Sequence, residues 1–305
     1  MPELPEVETI ARGLASRVSG DTIESVWLGS KPQPLKSTAT EIATTLESSR
    51  IAGVRRVGKH IVFDLENGGK PPARSRTRQG SAAGKKRARS SKAVAKKSAP
   101  GNLSAPQGAS QWIVHLGMTG RMLVCQPDQA IEKHTHAIAR LASGRELRFV
   151  DPRRFGRLSV TRGFQAAGSE PLDVELQTFV SLFRARKTPI KSALLNQKLL
   201  SGVGNIYADE SLFRAGIRPR RNTASLTREN LRRLHVAVQE VLKEAVALGG
   251  SSVSDYVDVD GKEGFFQLQH RVYGREEEPC LVCKTPVKRV VIAGRSSHYC
   301  PKCQK

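Results

Sequence analysis

Acidic residues are scarce in this chain. Among 305 residues, 28 Asp and Glu face 50 Lys and Arg, a formal net charge of +22. Such a surplus implies a polyanionic partner, because Lys and Arg displace the counterions condensed on phosphates. A basic protein of the ribosomal kind shares that composition, so charge alone does not choose between them. Long apolar runs are also missing. No stretch approaches the roughly 18 residues that a membrane span needs. The N-terminus reads as an acidic amphipathic helix rather than a secretory leader. The expectation is a soluble intracellular protein without membrane contact. Cysteine is sparse as well. Four of the five cysteines fall in one metal-type cluster, which leaves no disulfide framework. Cys125 stands alone and reads as a small buried residue.

The chain opens Met1-Pro2-Glu3-Leu4-Pro5-Glu6. Pro2 is small enough for Met1 to be removed, which would leave a secondary amine with a carboxylate beside it. An α-amine titrates at about 7.7–8.0, against about 10.4 for Lys. It is therefore nucleophilic at neutral pH without strong tuning. Its attack on a sugar carbon gives an iminium, and Glu3 can shuttle protons. The same hexapeptide is also an ordinary helix start, with Pro in the first turn and Glu at the positive end of the dipole. Glu6 lies three residues from Glu3, so both carboxylates can face one cleft. Glu8 lies on another face and reads as solvated.

Val7, Ile10, Leu14 and Val18 recur at helical spacing, and Gly20 follows, which predicts a helix over 3–18. Short β-prone runs come next, at 22–28, 51–57, 60–65, 111–116, 120–125, 136–142, 146–150 and 156–161. With turn residues between them they predict a β-sandwich flanked by the first helix. Residues 67–110 interrupt the pattern. They carry 11 Lys and Arg and no Asp or Glu, amid Ser, Ala, Gly, Pro and Gln. Such a stretch cannot build a core and reads as a disordered basic insert. It is either a non-specific tether to the polyanionic partner or a solvated insertion without a role. From about 170 the pattern turns helical, at 173–184, 189–199, 205–215 and 227–247. Residues 251–266 read as a polar, mobile loop. The fold class is thus α+β and multidomain. The expected units are 2–162, 170–248, a loop and linker over 249–274, and a finger over 275–305.

Cys280-x2-Cys283-x16-Cys300-x2-Cys303 has the spacing of a closed tetrahedral zinc site, structural rather than catalytic. Between the pairs, alternating residues predict a hairpin with Arg295 at its tip. Gly202-Val203-Gly204-Asn205 precedes a helix. There the glycines would let a phosphate approach the free N–H groups, with Asn205 capping the helix while its amide donates to the anion, although a lone Gly-x-Gly-Asn is more often a plain capped turn. His134 and His136 share one strand face, but no third ligand lies near in sequence, so a metal there is not expected. Lys59, His115 and His134 alone read as ordinary surface or strand residues. Met118 and Phe155 alone read as core, and Asp151-Pro152-Arg153-Arg154 as a turn.

The opening Pro2-Glu3-Leu4-Pro5-Glu6-Val7-Glu8-Thr9 resembles the start of bacterial formamidopyrimidine-DNA glycosylases, also called 8-oxoguanine DNA glycosylases. The likeness recurs at His115-Leu116-Gly117-Met118-Thr119-Gly120, at Asp151–Gly156, at Gly202–Ala208 and in the four-cysteine finger, in the family's order. It spans the chain apart from the insert, where the family usually has a short turn. Leu4 favours the purine-lesion branch over the endonuclease VIII type, which usually has Gly there. The resemblance implies a bifunctional glycosylase and AP lyase with a helix–two-turn–helix domain and one structural zinc. It implies that Pro2 attacks C1′ while Glu3 assists ring opening. Lys59 and Arg295 would join that catalytic set at phosphates beside the lesion. His134, Arg154, Lys191 and Asn205 would bind DNA, Lys191 and Asn205 as a phosphate clamp. Met118, Arg153 and Phe155 would fill the hole left by the extruded nucleotide. Glu6 and His115 would support, and the loop over 251–266 would cover the flipped base. The expected partner is duplex DNA carrying oxidised purines or abasic sites, met by a monomer in a bacterial cytoplasm. Two other readings stand beside this one: an endonuclease VIII-type pyrimidine-lesion glycosylase, and a catalytically silent zinc-ribbon protein that binds damaged DNA.

Overall fold

The computed structural model describes residues 1–31, 33–67, 109–252, 258–259 and 262–305. The expectations for the basic insert, and for residues 253–257, 260 and 261 of the covering loop, lie outside them.

Helix α1 (Leu4–Val18) leads into two antiparallel four-stranded sheets. One has the order β1-β6-β7-β5, from β1 (Ile23–Leu28), β5 (Arg121–Cys125), β6 (Thr135–Leu141) and β7 (Glu146–Val150). The other runs β2-β3-β4-β8, from β2 (Ser49–Val57), β3 (His60–Asn67), β4 (Ser110–His115) and β8 (Arg157–Arg162). All eight predicted runs are strands. Their inward residues and the apolar stripe of α1 make one core, with Val7, Ile10 and Leu14 against Phe63, Trp112 and Phe149. Phe63 and Trp112 are cross-strand partners whose rings stack 4.8 Å apart.

Helix α2 (Ala39–Leu46) was not expected. Its signal is local: Thr38 accepts from the Glu41 N–H while Glu41 accepts from the Thr38 N–H, a capping box spelled Thr-x-x-Glu.

The second core belongs to α3 (Leu176–Phe183), α4 (Ile190–Leu194), α5 (Asn205–Ala215) and α6 (Arg228–Ala247). The helix expected over 189–199 stops at Leu194. Beyond it, the Gln197 side-chain amide donates to the Leu195 and Val203 carbonyls and accepts from the Gly202 N–H. That amide substitutes for helical hydrogen bonds and holds residues 195–203 as tight turns. Leu4 of α1 is packed into this helical core rather than into the sandwich. Its N–H donates to the Gly202 carbonyl at 3.0 Å. The two cores therefore meet at the start of the chain.

The segment over 251–266 is not uniformly polar. Val259 is buried in the sandwich core against Gly13 of α1. The C-terminal hairpin joins β9 (Lys288–Ile292) and β10 (Arg295–Tyr299). It is tied to the end of α5 by Lys305, whose N–H donates to the Gly216 carbonyl and whose own carbonyl accepts from the Arg218 N–H. No helix among the described residues is long and apolar enough to cross a membrane.

Candidate active site at the domain junction

A cavity of about 320 Å³ lies where the two cores meet, lined among others by Pro2, Glu3, Lys59, Asn205, Tyr273 and Arg295. Glu3 sits just before α1 and is 4 % exposed. Its Oε1 accepts from the Ile206 N–H at 3.1 Å, while Oε2 has no hydrogen-bond partner among the described residues. Burial raises its pKa to about 7, even though the Lys59 charge pulls the other way. A carboxyl held near neutrality is fit to give and take protons.

This arrangement corrects the reading of the Gly202–Asn205 turn. A Cβ on Gly204 would lie 2.1 Å from the Glu3 carboxyl carbon, and one on Gly202 would lie 2.9 Å from Leu4. The glycines make room for the start of α1. The anion at the N-terminus of α5 is the Glu3 carboxylate, which satisfies the physics of a helix-end anion site from within the protein. Asn205 is not the cap. Gly204 is, and Asn205 opens the helix with its amide donating to Ser296 Oγ at 3.3 Å.

Glu6 supports this corner. One of its carboxylate oxygens accepts from the Glu3 N–H at 2.7 Å. The other accepts from the Ser251 N–H and from the Tyr207 hydroxyl. Burial raises the Glu6 pKa. Tyr207 stands in a quoted motif, yet nothing in its spacing assigned it to Glu6. Glu8 is not solvated. It binds Arg56 at 2.7 Å, and Arg56 also grips Glu170 at 2.9 Å, so a buried guanidinium joins α1, β2 and the segment leading to the helices.

Lys59 stands on the turn between β2 and β3. It is buried, and burial lowers its pKa although Glu3 and Glu6 oppose the shift. No ion pair joins it to a carboxylate among the described residues. Gly58 before it has φ +59, and a Cβ there would meet Ser201 Oγ at 2.1 Å. Arg295 is exposed at the start of β10 and faces the same cavity. Tyr273 lines the cavity too, and the sequence reading missed it, because it lies outside the quoted motifs.

Lys191 is placed differently from the expected phosphate clamp. It is 0 % exposed, 2.7 Å from Asp209, and donates to the Ser296 carbonyl at 2.6 Å. Asp209 also accepts from the His298 N–H at 2.9 Å. This buried group holds β10, and hence Arg295, against α5.

Met118 is 41 % exposed and Phe155 51 %, so the core reading of these two fails. Met118 reaches the rim of the cavity. The Arg153 guanidinium lies 4.8 Å from the centre of the Phe155 ring. Arg154 follows in the left-handed region (φ 55), exposed, and His134 is exposed too, its carbonyl accepting from the Asp151 N–H. His115 lies behind the turn that carries Met118. Burial and the neighbouring His60 lower its pKa to about 4, so its ring is neutral at working pH.

The Sγ atoms of Cys280, Cys283, Cys300 and Cys303 all lie within 4.8 Å of one another, with pairs at 3.9 and 3.4 Å. A zinc with bonds of about 2.3 Å sets tetrahedral sulfurs roughly 3.8 Å apart, so these residues fit the ion. They are the only such group among the described residues, and His134 and His136 form none.

Three sequence models match in succession: the formamidopyrimidine-DNA glycosylase N-terminal domain over residues 1–158, the formamidopyrimidine-DNA glycosylase H2TH domain over 167–257, and the zinc finger found in FPG and IleRS over 277–305. The chain belongs to the formamidopyrimidine-DNA glycosylase family. Formamidopyrimidine-DNA glycosylases are base-excision repair enzymes, glycosylases and AP lyases, and the finger of this member holds one structural zinc. The formamidopyrimidine-DNA glycosylase of Solibacter usitatus is 40 % identical over 309 residues and that of Listeria monocytogenes 35 % over 315, with 100 % of each chain covered in both comparisons. The crystal structure of the MutM (FPG) protein from Thermus thermophilus superposes with a TM-score of 0.77 at 39 % identity, covering 99 % of this chain and 98 % of that one. The Lactococcus lactis FPG in complex with Fapy-dG-containing DNA gives 0.79 at 28 %, covering 99 % and 100 %.

Proposed function

We propose that this glycosylase removes oxidised purines, 8-oxoguanine and formamidopyrimidines, from duplex DNA. It then cuts the strand by β- and δ-elimination through a Schiff base on Pro2. The observation that carries this reading is the setting of Glu3: a buried carboxyl, neutral enough to donate, beside Pro2, with one oxygen unpartnered among the described residues. While Met1 is attached, the Pro2 nitrogen is an amide and cannot attack. Once Met1 is gone, the amine forms a bond to C1′ as the bond to the base breaks. Glu3 supplies the proton for sugar-ring opening. Elimination then leaves a one-nucleotide gap.

Lys59 and Arg295 flank the cavity with positive charge and are read as phosphate contacts on either side of the reacting sugar. His134, Arg154 and Asn205 extend that footprint. Lys191 acts from behind by holding the Arg295 hairpin. Met118, Arg153 and Phe155 are read as the void fillers, because Met118 and Phe155 expose large apolar side chains and Arg153 stacks on Phe155. The working units are 2–162, 170–248, 249–274 and 275–305. This reading has the enzyme act as a monomer, on the DNA of a bacterial cytoplasm. The Lactococcus complexes with Fapy-dG and abasic-site DNA support the substrate class.

Borohydride trapping on an abasic or lesion duplex tests the nucleophile. Retaining Met1, or Pro2→Gly, is expected to reduce the trapped complex sharply while duplex binding persists. Undiminished trapping with Met1 retained would assign the Schiff base to a lysine. A chain that binds lesion duplex but never traps would support the silent damage-binding reading instead.

A further inference from the structure

Two separate loops carry the three exposed residues read above as void fillers. Met118 sits in the turn 116–120 after β4. Arg153 and Phe155 sit in the turn 151–156 after β7. One buried carboxylate joins them. Asp151 is 0 % exposed. Its Oδ1 accepts from the Thr119 hydroxyl at 2.6 Å and from the Arg153 N–H at 3.3 Å. Its Oδ2 accepts from the Gly156 N–H at 2.7 Å. Its own N–H donates to the His134 carbonyl, and its carbonyl meets His136 Nε2 at 2.9 Å.

The loops also touch through their backbones. Gly117 has φ +66, and a Cβ there would lie 2.4 Å from the Phe155 carbonyl carbon. The Gly117 N–H is taken by His115 Nδ1 at 3.1 Å. Gly120 closes its turn on the Leu116 carbonyl at 2.9 Å. A carboxylate bonded to three donors from two loops has no freedom of its own. It transmits the position of one loop to the other.

We propose that Asp151, through Thr119, is the positioning residue that makes Met118, Arg153 and Phe155 a single preassembled wedge. Asp151 touches no substrate. Its effect is that the three side chains enter the duplex together, at fixed spacing, without ordering two loops during base extrusion. This inference rests on the void-filling reading of those three residues.

The test uses Thr119→Val, which keeps the shape and removes the hydroxyl, and Asp151→Asn, which keeps the shape and removes the charge. Each is made in the wild-type chain and in a Met118→Ala/Arg153→Ala/Phe155→Ala chain. Single-turnover excision from a lesion duplex is expected to fall about 10- to 100-fold in the wild-type background. A 2-aminopurine beside the lesion should lose its unstacking signal to match. Borohydride trapping on a single-stranded abasic oligonucleotide needs no opened stack and should stay unchanged. In the triple-alanine background, Thr119→Val should cause no further loss, because the residues it positions are gone.

Equal loss on single-stranded and duplex substrates would overturn the proposal, since the defect would then lie in the catalytic cavity or the fold. Persistence of the full Thr119→Val loss in the triple-alanine chain would overturn it as well. A defective triple-alanine chain with an unaffected Thr119→Val variant would defeat the positioning role and leave the void fillers standing. A fully active triple-alanine chain would defeat the void-filling reading itself. Should Asp151→Asn fail to fold, as judged by its thermal transition, Thr119→Val decides alone.

Discussion

At the scale of single residues, Glu3 ties stability and chemistry to one proton. Its folded pKa is about 7 and its ordinary value 4.5. A group raised on folding contributes stability that is complete below the unfolded pKa and lost as pH rises through the folded one. Ionising Glu3 in place therefore destabilises by an amount on the order of 3 kcal/mol above neutrality. Glu3→Gln keeps the acceptor for Ile206 and carries no charge. Its thermal midpoint is expected to match wild type near pH 4.5 and to exceed it by several degrees at pH 8. Its excision rate should drop by about 10²- to 10⁴-fold. Parallel melting curves from pH 4.5 to 8 check the first point, and a constant offset between the two proteins would contradict the assigned pKa. The sequence placed Glu3 and Glu6 on one face correctly. It did not show that Glu3 is the anion on α5, because that contact joins residues 203 positions apart and depends on Gly204 lacking a side chain.

Among the elements, the finger depends most on a single component. Its own core is Val272, Cys280, Val287 and Cys300, so the metal ligands form half of it. A core that small does not hold a fold without its ion. Cys300→Ser, or zinc removal by a chelator, is expected to abolish tight lesion binding, and metal analysis of the intact protein should return about one zinc per chain. Full excision by a verified zinc-free protein would exclude a structural ion. The finger was legible because four cysteines at this spacing have few other uses. The eight strands were legible from alternation and turn residues. Helix α4 was over-extended because Leu194, Leu195 and Leu199 continue the apolar period, while the turns around them are set by the Gln197 amide. The Thr38-x-x-Glu41 capping box marks helix α2, but only eight helical residues follow it, too few for a clear apolar period. Lys191 was misplaced because a lysine beside a motif looks the same whether it meets a phosphate or a buried aspartate 18 residues later.

For the whole molecule, charge is divided unevenly. Residues 67–110 hold 11 of the 22 net positive charges. Strands β3 and β4 pair directly on either side of that stretch, with Leu65 opposite Ser110, so a short turn could close them. Deleting residues 70–107 is expected to leave single-turnover excision on a short lesion duplex nearly unchanged. Affinity for long undamaged DNA should fall, and its log–log salt slope should become shallower by about 0.9 for each lost phosphate contact. A salt series on both chains reads this directly. An unchanged slope would make the stretch a passive connection, and lost excision would mean that it serves the catalytic unit. The family was legible at this scale from the order of short motifs. The junction between the units was not, since Arg56 and Glu170 belong to none of those motifs, and Glu8, although inside the first, reads there as a solvated helix residue.

The packing of Leu4 against the helical core has a consequence in time. The ribosome releases the first residues early, but Gly202 and the start of α5 emerge only after about 200 residues, roughly 10–40 s later at ordinary rates of synthesis. Until then Met1 and Pro2 have no cavity to enter, and the aminopeptidase that trims new chains meets an open end. Afterwards Pro2 is buried, with Met1 at the cavity wall. Removal of Met1 is therefore least hindered before the fold closes, although Met1 itself keeps 46 % exposure afterwards. A chain whose Met1 survives that interval would carry its own blocking group into the finished site.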